Sequence, residues 1–104
     1  MATANKILGQ SAPAAATLTT LYTVPVSTQA NVNLFICNRS SADIPVRVGI
    51  TKSGGSIYYI IYDMNCTKDN PINITGLSLA AGDLIQVYAT LATVIFTATG
   101  IEIS

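Results

Sequence analysis

The chain has 104 residues, half of them hydrophobic, with five basic and five acidic side chains, no histidine and no tryptophan. That length supports one core and not two, and a net charge of zero provides no long-range field to draw nucleic acid or anionic lipid. No apolar run approaches the ~20 residues of a membrane-spanning helix. Charged residues make up 10% of the chain, against about 25% in an average domain. A monomer of this mass exposes roughly 5,600 Å², which leaves about one charge per ~560 Å². A surface so poor in charge implies that other subunits cover much of it.

Residues 1–16 are Ala, Ser, Thr and Gln around Lys6-Ile7-Leu8 and end in Pro13-Ala14-Ala15-Ala16. Such a segment cannot bury enough to fold alone, so we expect an extended N-terminal arm that orders on a neighbour. Its opening Met-Ala-Thr-Ala-Asn-Lys lacks the apolar stretch of a secretory signal, and the expected setting is a cytoplasm. Residues 17–104 then read as one β-sandwich domain. Leu18 to Val24 alternates apolar residues with threonine and stops at Pro25. Asn31 to Asn38 puts Val32, Leu34 and Ile36 on one face, with Phe35 and Cys37 on the other. Ile44 to Thr51 alternates Ile44, Val46, Val48 and Ile50 inward with Pro45, Arg47 and Gly49 outward. Ser53-Gly54-Gly55-Ser56 is a hairpin turn leading to Ile57–Asp63. Pro71 to Thr75 and Leu77 to Leu79 read as two short strands. Ala80-Ala81-Gly82-Asp83 turns the chain into Leu84–Thr90, and Thr93–Ile103 closes it.

Val, Ile, Thr and Tyr dominate, turn residues recur every 8–12 positions, and no window carries a capped helical period. The expected fold is all-β: an antiparallel sandwich of about eight strands, jelly-roll or immunoglobulin-like. The immunoglobulin signature of cysteines around a tryptophan is missing.

Candidate chemistry is sparse. General acid–base work commonly needs a histidine or paired carboxylates, whereas Asp43, Asp63, Asp69, Asp83 and Glu102 stand singly. No nucleophile elbow, phosphate loop or dinucleotide fingerprint occurs. We therefore expect no catalytic residue and no cofactor. Asp63 to Asn70 is rich in oxygen ligands, but Lys68 stands where a calcium loop needs glycine and Ile74 where it needs glutamate; no metal is expected. Cys37, in an apolar run, is expected in the core, and Cys66 in a polar loop; both are expected as free thiols. Asn38-Arg39-Ser40, Asn65-Cys66-Thr67 and Asn73-Ile74-Thr75 match the glycosylation pattern through a Ser/Thr-rich composition. Tyr58, Tyr59 and Tyr62 share a strand, which puts Tyr58 and Tyr62 on one face and Tyr59 on the other. Without interleaved Lys or Arg they suit a protein contact better than a nucleic acid. With Ile7 and Leu8, they are the candidate interaction residues.

Several blocks carry a family likeness. Lys6-Ile7-Leu8-Gly9-Gln10 with Pro13, Leu21-Tyr22-Thr23-Val24-Pro25, Phe35-Ile36-Cys37-Asn38-Arg39 with Val46-Arg47-Val48, and Leu79-Ala80-Ala81-Gly82-Asp83-Leu84-Ile85-Gln86-Val87-Tyr88-Ala89 together span nearly the whole chain. This set resembles small structural proteins of tailed bacteriophages, notably those of cyanobacteria and marine bacteria. The resemblance implies a virion part made in the host cytoplasm. A capsid decoration (cement) protein is expected first, with a neck, tail or fibre component as the alternative. Its partners would be itself, as a trimer, and a major capsid or other virion protein, with neither nucleic acid nor membrane. Two readings of other classes stand beside it: a carbohydrate-binding adhesin module and a cytoplasmic regulatory or assembly-chaperone domain.

Overall fold

The computed structural model describes residues 3–68 and 70–104. Among these the chain forms eight strands and no helix: β1 (Thr3–Ser11), β2 (Thr19–Thr23), β3 (Gln29–Asn38), β4 (Ile44–Thr51), β5 (Ile57–Cys66), β6 (Ile72–Leu79), β7 (Leu84–Ala89) and β8 (Val94–Ile103). They make two four-stranded antiparallel sheets, sheet A in the order β1-β8-β3-β6 and sheet B in the order β2-β7-β4-β5. The two layers form a β-sandwich.

The pairings show how the chain is wound. Strands β1 to β4 pair in turn with β8, β7, β6 and β5, as though one long hairpin were folded at the β4–β5 turn. Rolling that hairpin brings β8 also against β3 and β7 against β4. This is the jelly-roll winding, the first of the two expected sandwiches. An immunoglobulin-like order is overturned, because among the described residues β4 and β5 are the only consecutive strands that are sheet neighbours.

Alternation places the core. Val32, Leu34 and Ile36 of β3, Val46 and Val48 of β4, Ile85 and Val87 of β7, and Val94 and Phe96 of β8 are all fully enclosed between the sheets. Each comes from a period-2 stretch in which the intervening residue faces out. β6 joins the two short strands expected over 71–79. Gly76, at φ 78, lies where the β3–β6 register shifts; it supplies the left-handed residue that lets a bulge pass through one continuous strand.

Two sequence expectations are corrected. Residues 3–11 of the expected arm are an edge strand, paired with β8 along their whole length. Main-chain bonding to an exposed strand edge needs no apolar run, which is why the segment's composition did not reveal it. The cysteines also exchange places: Cys37 is exposed and Cys66 is buried, and both are free thiols. Period-2 alternation sends Cys37 outward despite its apolar neighbours. β5 runs three residues further than expected, carrying Cys66 opposite the buried Ile44.

Polar side chains fasten the ends. Asn38 is 3% exposed. Its Nδ2 donates to the carbonyls of Ala42 and Cys66, each at 2.7 Å, and its Oδ1 accepts from Ser40 N–H at 2.9 Å. At the other end, Asp83 accepts from Ala80 N–H at 2.9 Å and Ser53 N–H at 3.0 Å. These two backbone donors hold its carboxyl below the usual range. On the margin formed by β1 and β2, Glu102 accepts from the Tyr22 hydroxyl and pairs with Lys6 at 3.1 Å.

Candidate functional site

The outer face of sheet B groups an arginine, an aspartate and three tyrosines. Arg47 lies between the enclosed Val46 and Val48, so the pleat points it outward. Its register partner on β7 is Tyr88. On its other side β5 is irregular: Val46 pairs with Met64 and Val48 with Ile61, leaving Tyr62 and Asp63 together opposite Arg47. This is a β-bulge, and Asp63 takes it up at φ 55, a conformation aspartate tolerates better than most residues. The extra residue aims two side chains at one guanidinium.

The contacts follow from that placement. Arg47 donates to Asp63 from Nε at 2.6 Å and from an Nη at 3.3 Å. The guanidinium carbon sits 4.3 Å from the Tyr62 ring centre and 4.6 Å from that of Tyr88, within cation–π range of both rings. Its bond to Asp63 comes first among the causes that hold the arginine further above its ordinary pKa. Charge is thus balanced inside the group, and the surface presented outward is chiefly tyrosine.

A second bulge follows at Ile60, between the Val48–Ile61 and Gly49–Tyr59 pairs. It corrects the expected facing of the tyrosines. Strict alternation separates Tyr59 from Tyr62, but the added residue returns both to the outer face, ring centres 5.0 Å apart and edge to face. Tyr58 pairs with Ile50 on the opposite side and is 77% exposed at the sandwich margin. Beneath Tyr59, Gly49 leaves the space that Ile57 fills; a Cβ there would collide with the Ile57 side chain.

Of the five residues expected to interact, the structure therefore groups Tyr59 and Tyr62. Ile7 is exposed on β1, whereas Leu8 is half-buried against the core. Both lie in the other sheet, away from the tyrosines. Arg47, Asp63 and Tyr88 complete the group and were not among the interaction residues expected from sequence. The outward register of Arg47 was legible in its alternating strand, but its pairing with β7 and the bulge in β5 were not.

The other candidate ligands of the sequence do not converge on a site. Asp63 of the oxygen-rich stretch is committed to Arg47, and Asp69 lies outside the described residues. Among the described residues no three His, Cys, Asp or Glu side chains are grouped as metal ligands. A shallow groove of about 410 Å³ lies at the Asp83 end, lined by Gln29, Asn31, Ser78, Asp83 and Ile103 among others. Its only carboxylate, Asp83, is occupied by backbone donors. No family model, no curated protein and no solved structure matches the chain, so its functional reading rests on its own residues.

Proposed function

We propose that this chain is a structural subunit of a tailed-phage virion, a decoration (cement) protein that stabilises the head through protein–protein contacts. The observation that carries the reading is the charge-balanced face of Tyr59, Tyr62, Arg47 and Tyr88, held on a rigid sheet. Tyrosine and arginine dominate the energetics of protein interfaces, and a prepaired, ring-stacked arginine loses little freedom on docking. The sparse charge of the chain and its likeness to small phage structural proteins support the same reading. Jelly-roll sandwiches also recur in viral capsid domains, which is a fold-level analogy only. A cement protein acts by mass action: it binds the assembled lattice and stabilises it by the free energy of its contacts, repeated by symmetry.

The test is mass spectrometry of purified virions with copy counting, followed by add-back of Arg47→Ala and Tyr88→Ser variants to depleted particles. We expect stoichiometric protein in virions and at least about 30-fold weaker binding for the variants, as for an interfacial hot spot of ~2 kcal/mol. Absence from purified particles would refute the proposal. A location in neck, tail or fibre would keep the virion reading and remove cement. The tyrosine grouping also favours one second reading, a carbohydrate-binding module, since jelly rolls serve lectins as well. Binding of the isolated protein to a glycan array, lost in Tyr62→Ser, would establish it.

A further inference from the structure

We propose that β1 is an exchangeable strand, and that in the assembled protein its place beside β8 is filled by β1 of a second copy of this chain. The first ground is how lightly β1 is held. It pairs with β8 throughout, yet none of its nine residues is buried, and Leu8 is its contribution to the core. Its side-chain ties, Lys6 to Glu102 at 3.1 Å and Gln10 to Thr97 at 3.5 Å, both run to β8. All of these contacts are the same whichever chain supplies the strand.

The hinge is the second ground. Residues 12–18 carry the chain from sheet A to sheet B, and within them Ala16 sits at φ 55. Alanine is strained in that left-handed region. The bend is fixed by hydrogen bonds from Ala16 N–H to Ala89 and from Thr17 N–H to Ala14. Opening a short strained hinge releases the strain while exchange reproduces the strand contacts, the combination that favours swapping. Seven extended residues reach as far as about 25 Å, beyond the 19 Å thin dimension of the molecule.

The third ground identifies the occupant. The position beside β8 is not open to any extended peptide. Its register shifts between Ile7 and Gly9, so the incoming strand must carry a bulge there. At Gly9 a Cβ would collide with the Leu21 carbonyl of β2, so the strand must also present glycine at that register. A lysine three residues before it meets Glu102. The sequence that meets all three conditions is β1 itself, which selects another copy over a foreign segment. The inference does not depend on the virion reading and holds whatever covers the tyrosine face.

Asn5 and Ile101 are register partners, and a cysteine at each links the strand to its host. The full-length chain carrying Asn5→Cys and Ile101→Cys, in a Cys37→Ser background, is refolded at high concentration, oxidised, and run on a denaturing non-reducing gel. We expect most chains to migrate as covalently joined multiples, and the same protein with Ala16→Gly, which relaxes the hinge, to shift toward the single-chain band. Disulfides confined to single chains would overturn the proposal. So would failure to form the disulfide at all, because the pair is in register whichever chain donates β1.

Discussion

At the scale of single residues, the polar side chains that matter are those the two sheets cannot do without. Asn38 satisfies two carbonyls and one N–H at the junction of β3, the β3–β4 loop and the end of β5. Truncating it leaves those groups unpaired in a region without easy access to water, a loss of about 1–3 kcal/mol. We expect Asn38→Ala to lower the melting temperature by roughly 10 °C, at the 4–8 °C per kcal/mol of a domain this size, read by calorimetry. The same burial removes the Asn38 amide from any glycosylation at Asn38-Arg39-Ser40. Glu102 has a pH consequence. The Tyr22 hydroxyl first, and then Lys6, hold its carboxyl below the ordinary value. A depressed carboxylate contributes stability above its unfolded pKa of about 4.3 and loses it as pH falls through the folded value. Thermal unfolding followed downward from neutral pH should therefore show a fall below about pH 4 that is shallower in Glu102→Gln. An equal slope in both proteins would show that the Tyr22–Glu102–Lys6 chain does not form in solution.

At the scale of elements, β1 is where composition and topology part. Its loss takes Leu8 away from the core, removes the Lys6–Glu102 pair and leaves the β8 edge unpaired. A chain beginning at Thr17, kept dilute enough to stay monomeric, is expected to remain folded but to melt roughly 10 °C lower, about 2 kcal/mol. An unchanged melting temperature would return residues 1–16 to the status of a dispensable arm. What could be read beforehand was everything governed by period 2 within one strand. Ile44–Thr51 has the expected bounds and the expected inward face, and Val32, Leu34 and Ile36 are enclosed as their alternation required. What could not be read were features set by a partner strand. The bulges of β5 depend on β4, the fusion of two short segments into β6 depends on Gly76 and β3, and β1 depends on the edge of β8. The tyrosine–arginine group failed to show in the sequence for that reason: its members are adjacent only after three strands are in register. Cys37 shows the opposite error, a residue-type preference set against an alternation that was correct.

At the scale of the whole molecule, the surface is 5593 Å² and carries ten formal charges. Of these, Lys6 with Glu102 and Arg47 with Asp63 are spent in ion pairs. Large apolar side chains remain outside, with Tyr58, Ile60, Tyr62 and Met64 concentrated on the β5 edge. That edge has no free charge to keep a neighbour away, although its two bulges interrupt the flat main-chain template that open-ended strand addition needs. The combination favours side-chain contact in a closed assembly over fibre growth, and a symmetric ring of few copies is the economical closed form. We expect sedimentation at micromolar concentration to show a discrete self-associated species, a trimer on the cement reading. Because its driving force is apolar burial and not ion pairing, raising salt to about 1 M, where charges are screened beyond ~3 Å, should leave the species intact or strengthen it. Tyr58→Asp with Met64→Asp places like charges on the exposed edge without entering the core, and should abolish the association made through that edge while leaving the β1-exchanged species in place. Dissociation by salt would place the interface on the few ionic residues instead. A soluble monomer in low and high salt alike would remove self-association as the explanation for so uncharged a surface.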